Sequence, residues 1–222
     1  MQQKINILST KKLLQNQKQL LLDANISIIE EDFIETKIKN FELSIVNDNL
    51  IFTSQNAVQS VLQYPKWDEL KAKNVFSVGM KTKALLAENG FNVVAYTGYA
   101  SDLAEIISLV YPRETFTFFS GNLRRDVLPN TLEENGVVFN EIEVYETNIT
   151  SKKITNTLDG ILFFSPSAVE SYLKMNTIKE EICFCIGETT AEALENKKVK
   201  NIVIADKPTV ENVIERAISY RL

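Results

Sequence analysis

Short apolar runs alternate along the chain with longer stretches whose apolar positions recur at helical spacing, the pattern of strand and helix units wound around a parallel sheet. Ten strands are predicted, at Ile5 to Ser9, Ile26 to Phe33, Leu50 to Thr53, Val75 to Val78, Val93 to Tyr96, Phe116 to Phe119, Val138 to Tyr145, Ile161 to Phe164, Ile182 to Ile186 and Ile202 to Ala205. The expected class is α/β.

Laid against itself, the chain repeats. The segment Ile51 to Ser60 matches Leu162 to Ser171 at a shift of 111 residues, pairing Ser54 with Ser165, Ala57 with Ala168 and Val58 with Val169. Val78-Gly79 with Thr82 matches Ile186-Gly187 with Thr190 at a shift of 108, and Ser101 then falls on Thr209 as a recurring helix cap. Ser9, Phe33 and Glu35-Thr36 match Ser120, Val144 and Glu146-Thr147, again at 111. The expectation is an internal duplication giving two similar parallel-sheet domains, each five-stranded and flavodoxin-like. In such open sheets the ligand crevice lies beyond the carboxyl ends of the strands, where the repeated motifs sit.

Composition narrows the chemistry. The chain of 222 residues is 45% hydrophobic and 24% charged, ordinary for a folded protein. No apolar stretch approaches the ~18 residues that span a bilayer, and Met1 to Lys12 lacks the apolar core of a signal peptide, so a cytoplasmic protein without membrane association is expected. A net charge of -5 and the absence of any basic run argue against nucleic-acid binding. The absence of histidine excludes Ser-His-Asp and Cys-His mechanisms and removes the usual partner for a metal-binding cysteine. Cys183 and Cys185 share one strand face, cannot easily bridge each other, and are expected to be buried thiols.

Several strand-end motifs bear either a structural or a ligand-binding interpretation. Ser54-Gln55-Asn56-Ala57 and Ser165-Pro166-Ser167-Ala168 join strands to helices, where hydroxyls cap the helix or meet an anion. Gly79 and Gly187 allow positive φ or close approach of a ligand, and Thr189 and Thr190 add hydroxyls after the second glycine. Gly121-Asn122-Leu123-Arg124-Arg125-Asp126 is expected to open a helix and to set Arg124 and Arg125 in its first turns. Cations there oppose the helix dipole and require Asp126 or an anionic ligand as partner. Lys11-Lys12 occupies the matching place in the first repeat. Tyr145 stands at a strand end where the first repeat has Ile34, and its phenol is among the few neutral proton donors in a chain without histidine.

Taken together, Phe52-Thr53-Ser54-x-Asn56-Ala57-Val58, Gly121-Asn122-x-Arg124-Arg125 with Leu128-Pro129, Val144-Tyr145-x-Thr147, Phe164-Ser165-Pro166-Ser167-Ala168-Val169 and Ile186-Gly187-x-Thr189-Thr190-Ala191 resemble uroporphyrinogen-III synthases, in family order along nearly the whole chain. The resemblance implies a discontinuous first domain, residues 1–38 plus 148–222, and a second, residues 39–147, joined by a two-stranded antiparallel linker, with the active site in the inter-domain cleft. It implies a lyase that closes hydroxymethylbilane into uroporphyrinogen III with inversion of the terminal pyrrole, on the route to haem, sirohaem or cobalamin. No metal or organic cofactor is implied, and the protein is expected to be a monomer that takes its substrate by transient hand-off from hydroxymethylbilane synthase. By motif, Tyr145 is the candidate acid. Ser54, Asn56, Gly121, Asn122, Arg124, Arg125, Ser165, Ser167, Gly187, Thr189 and Thr190 are candidates for substrate binding. Many members carry Arg-Pro just after the first strand where this chain has Lys11-Lys12, which lacks the planar fork of a bidentate carboxylate contact. The competing class is a non-enzymatic two-domain binder of a small anion.

Overall fold

A computed structural model describes residues 5–220; the first four residues of the segment read above as lacking a signal peptide lie outside them. In chain order the elements are β1 (Ile5–Ser9), α1 (Gln15–Asp23), β2 (Ile26–Glu30), β3 (Ile34–Ile38), β4 (Asn49–Phe52), α2 (Gln55–Val61), β5 (Asn74–Val78), α3 (Met80–Glu88), β6 (Asn92–Thr97), α4 (Ala100–Val110), β7 (Thr115–Gly121), α5 (Val127–Glu134), β8 (Val138–Ile149), β9 (Gly160–Phe163), α6 (Pro166–Leu173), β10 (Ile182–Cys185), α7 (Glu188–Glu195), β11 (Ile202–Ile204) and α8 (Val210–Ser219). The chain divides into two compact units, Met1–Glu35 with Asn148–Leu222, and Thr36–Thr147.

The first unit holds a five-stranded sheet in the order β11-β10-β9-β1-β2, parallel throughout. Its strands are apolar on both faces because helices cover both. Ile161, Phe163, Cys183 and Cys185 pack with residues of α6 and α7, while Leu162, Phe184 and Ile7 face α1 and α8. The two cysteines therefore do share a face.

The second unit holds the order β3-β8-β7-β4-β5-β6, in which β4 to β8 run parallel. Leu50, Phe52 and Phe119 pack with α2 on one face, and Ile51, Phe116 and Phe118 with α4 and α5 on the other. Burying one such phenylalanine contributes roughly 1.5–3 kcal/mol, so these central strands anchor the loops at their ends.

The ten predicted strands are all present, and an eleventh, β3, was not expected from the apolar pattern. Its sequence, Ile-Glu-Thr-Lys-Ile, is half polar, and it lies at a sheet edge. Backbone bonds from Lys39 N to Val144 O and from Thr150 N to Phe33 O run in opposite chain sense, so β3 meets β8 antiparallel. β8 is also longer than expected and continues to Ile149, so Tyr145 lies within the strand rather than at its end.

Candidate functional site

At the carboxyl end of β4, Ser54 is the N-cap of α2, and its Oγ accepts a hydrogen bond from Ala57 N–H at 3.1 Å. The same hydroxyl donates to the Tyr145 phenolic oxygen at 3.0 Å. Tyr145 reaches this point because β8 carries an irregularity: Ser120 pairs with Glu143 but Gly121 pairs with Tyr145, so Val144 is the extra residue of a β-bulge. A bulge re-aims the side chains that follow it. Here it lays the tyrosine ring against Gly121, where an added Cβ would come within 2.3 Å of Tyr145 Cζ. Gly121 is thus required by close approach, and its partner is a side chain of the same unit. The Asn56 carboxamide, half-buried on the first turn of α2, makes no hydrogen bond with the described protein residues.

The stretch from Gly121 to Asp126 departs from expectation. Gly121 ends β7, the residues after it form a loop, and α5 begins only at Val127, so neither Arg124 nor Arg125 lies in the helix. The reason is Pro129: with the helix starting at Val127 it falls in the first turn, where its missing N–H costs nothing, whereas an earlier start would place it in the interior. Asn122 does not face outward as a free donor. Its Oδ1 accepts from Thr147 N–H at 2.7 Å and its Nδ2 donates to Thr147 O at 3.3 Å, prolonging the β7 to β8 pairing by one side chain.

Arg124 is held inside the protein's own charge pattern. Its Nε and Nη2 donate to the two oxygens of Glu141 at 2.6 and 2.9 Å, the bidentate fork geometry, and Nη1 donates to Asp126. Burial raises the Glu141 carboxyl, but hydrogen bonding and the charge of Arg124, with a contribution from Ser120, together outweigh it, and its pKa lies below the ordinary 4.5. Arg124 is engaged by carboxylates before any ligand arrives, and Glu141 was not anticipated. Only the register of β7 against β8 reveals it. Arg125 is exposed and also has an interaction partner in the protein.

Because the folded-state pKa of Glu141 is depressed, the pair stabilises the fold above about pH 4.5 and that contribution is lost as the pH falls through the native value. Glu141→Gln is expected to destabilise the protein by about 1 kcal/mol at pH 7, in keeping with a partly exposed bidentate pair. In urea titrations the difference from the parent shrinks once Glu141 is protonated; a constant difference across pH would contradict this.

In the first unit, Ser165 is the N-cap of α6, accepts from Ala168 N–H at 3.1 Å and lies 3.0 Å from Ser167 Oγ, with Pro166 in the first turn. Capping therefore recurs at Ser54 and Ser165. Gly187 has φ 178°, an extended backbone, and a Cβ there would meet nothing within 4 Å; of the repeated pair only Gly79, at φ 88°, uses the left-handed region. Thr190 is 1% exposed in the first turn of α7, and its repeat partner Thr82 in α3 is 5% exposed. Thr189 is half-buried and remains on the outer part of that first turn. Thr209 caps α8, accepting from Asn212 N–H at 3.2 Å, but its expected equivalent Ser101 lies inside α4, whose N-cap is Tyr99. In the β1 to α1 loop, Lys12 N–H and Leu13 N–H are already taken by Asp32 and Glu30, and the Lys11 ammonium lies 4.8 Å from the centre of the Phe164 ring.

Cys183 and Cys185 are free and fully buried. Burial first, and the neighbouring Glu195 second, push the Cys185 thiol up to about 12; burial likewise raises Cys183, aided by Cys185 and Glu181. Neither is a nucleophile at neutral pH. A chromogenic disulfide reagent is expected to label no thiol in the folded protein and both after denaturation; rapid labelling of the native protein would contradict the assignment.

Comparison with known proteins gives the family. The family model described as uroporphyrinogen-III synthase HemD matches residues 16–215. A uroporphyrinogen-III synthase of Saccharomyces cerevisiae is 24% identical, over 78% of this chain and 76% of the yeast protein. The crystal structure of uroporphyrinogen-III synthetase from Helicobacter pylori 26695 superposes with a TM-score of 0.74 at 22% identity, covering 98% of this chain and 100% of that one. A mutant uroporphyrinogen III synthase from the extremely thermophilic bacterium Thermus thermophilus gives 0.67 at 14% identity, covering 96% and 97%. The chain belongs to the uroporphyrinogen-III synthase family.

Proposed function

We propose that this protein cyclises hydroxymethylbilane to uroporphyrinogen III, with loss of water and inversion of the terminal pyrrole ring. It is an enzyme, a cyclising lyase of tetrapyrrole biosynthesis, and the observation that carries this is the family match across residues 16–215. The substrate's hydroxyl leaves to give an electrophilic azafulvene, and closure through a spiro intermediate reverses the last ring. Tyr145 is the proton donor to that departing hydroxyl, in a chain that has no histidine to do so. Much of the remaining work is conformational, holding a flexible polycarboxylate in the folded geometry that closes the inverted ring rather than the direct one.

The strand-end loops suit that task. Asn56, whose carboxamide makes no hydrogen bond with the described protein residues, and Ser167 and Thr189, on the first turns of eight-residue helices, are the groups we assign to substrate carboxylates. Arg124 contributes by fixing the Gly121 to Asp126 loop rather than by a first contact. The recurrence of a capped strand-to-helix turn at Ser54 and Ser165 supports an origin by duplication, with residues 1–38 plus 148–222 as one domain and 39–147 as the other. Among the described residues no helix is long and apolar enough to cross a membrane. We assign the protein to the cytoplasm as a monomer receiving substrate by hand-off from hydroxymethylbilane synthase. The test is complementation: expression should restore haem synthesis to a bacterial strain lacking its own uroporphyrinogen-III synthase, and failure of a well-expressed, folded protein to do so would contradict the proposal.

A further inference from the structure

We propose that Ser54 is a positioning residue that orients the Tyr145 proton outward, through a hydrogen-bond relay that begins at the backbone of α2. The inference rests on the assignment of Tyr145 as the proton donor and adds what directs it. Ser54 Oγ has one hydrogen to give and two lone pairs. One lone pair is occupied by Ala57 N–H at 3.1 Å, and the hydrogen goes to Tyr145 Oη at 3.0 Å. With its oxygen accepting from Ser54, the phenol's own O–H has no acceptor among the described residues and is left to a ligand. The cap thus fixes the serine rotamer, and the serine fixes which end of the phenol bond faces away.

Three local irregularities converge on this arrangement. The bulge at Val144 turns Tyr145 toward β4, and Gly121 leaves the room in which the ring lies, its missing Cβ being where Cζ stands. Ser54 combines capping with donation. The corresponding place in the first unit, read at the same shift of 111, has Thr10 for Gly121 and Ile34 for Tyr145. There Thr10 is 1% exposed and its hydroxyl donates to Leu162 O at 2.7 Å, and Ser165 meets Ser167 instead of a phenol. The repeated serine caps in both units; only one copy has been given a glycine and a tyrosine that turn the cap into a relay. Capping alone does not account for that difference.

The test is a set of substitutions read as kcat and KM for type-III product. Ser54→Ala is expected to lower kcat about tenfold, the size of one lost hydrogen bond, with KM nearly unchanged. Ser54→Thr, which caps and donates, should restore kcat. Ser54→Asp caps as well as serine but can only accept, so it draws the phenolic proton inward and should lower kcat at least as far as alanine does. In the Tyr145→Phe background Ser54→Ala should add nothing, because its partner is gone. Full kcat for Ser54→Asp, or effects of Ser54→Ala and Tyr145→Phe that multiply, would overturn the relay while leaving Tyr145 in place. Full kcat for Tyr145→Phe itself would instead overturn the acid assignment beneath it.

Discussion

Tyr145→Phe is expected to lower turnover about a hundredfold, at the lower end of what a positioned proton donor supplies, while the unfolding midpoint stays close to that of the parent. The bound is set by the reaction, since hydroxymethylbilane also closes by itself and needs only modest acid assistance. Stability is expected to survive because the ring remains: it packs beside the cluster of Phe52, Phe119 and Val144, and only its oxygen is removed. That oxygen exchanges one hydrogen bond, with Ser54, whose hydroxyl keeps Ala57 N–H as its other partner. Because spontaneous closure gives the unreversed ring, the variant should also release a larger share of type-I product. Unchanged turnover would transfer proton donation to water or to the substrate's own carboxyl groups.

The second large effect is expected at Gly121. An alanine there places Cβ 2.3 Å from Tyr145 Cζ and 2.4 Å from Cε2, distances no pair of non-bonded carbon atoms tolerates. Either the ring leaves its position or the β7 to β8 pairing opens, and the ring is the softer of the two. Gly121→Ala should therefore reduce turnover to about the level of Tyr145→Phe and cost ~1–3 kcal/mol in urea unfolding, the range for overpacking. Combining the two substitutions should give turnover no lower than either alone. An alanine variant with parental turnover would mean that the ring's place is immaterial to the reaction.

The sheets were legible in the sequence because their strands are buried on both faces, which writes them as continuous apolar runs such as Leu50-Ile51-Phe52 and Ile161-Leu162-Phe163. β3 was not, because an edge strand with Glu35, Thr36 and Lys37 between two isoleucines looks like a loop; only the family resemblance pointed to a connecting strand there. The start of α5 was misjudged although the signal was present, since Pro129 restricts how far upstream that helix can begin.

The site was legible by residue type and not by arrangement. Serines at strand ends announced caps, and Ser54 and Ser165 are caps. Nothing in the one-dimensional pattern showed that the bulge skips Val144, and without it Gly121 and Tyr145 are not neighbours. The same ignorance of register hid Glu141, so that of Arg124's carboxylate partners Asp126 was foreseen and Glu141 was not. The burial of Thr190 was not legible for another reason: a hydroxyl in a helix's first turn faces in or out by rotation about the axis, which one repeated threonine does not determine.

The most direct test of the central claim is isomer analysis. Purified protein is incubated with freshly generated hydroxymethylbilane, the products are oxidised, and the uroporphyrins are separated by chromatography beside a control without protein. A large excess of the type-III isomer is the predicted result; type-I uroporphyrin formed at the rate of the control would contradict it.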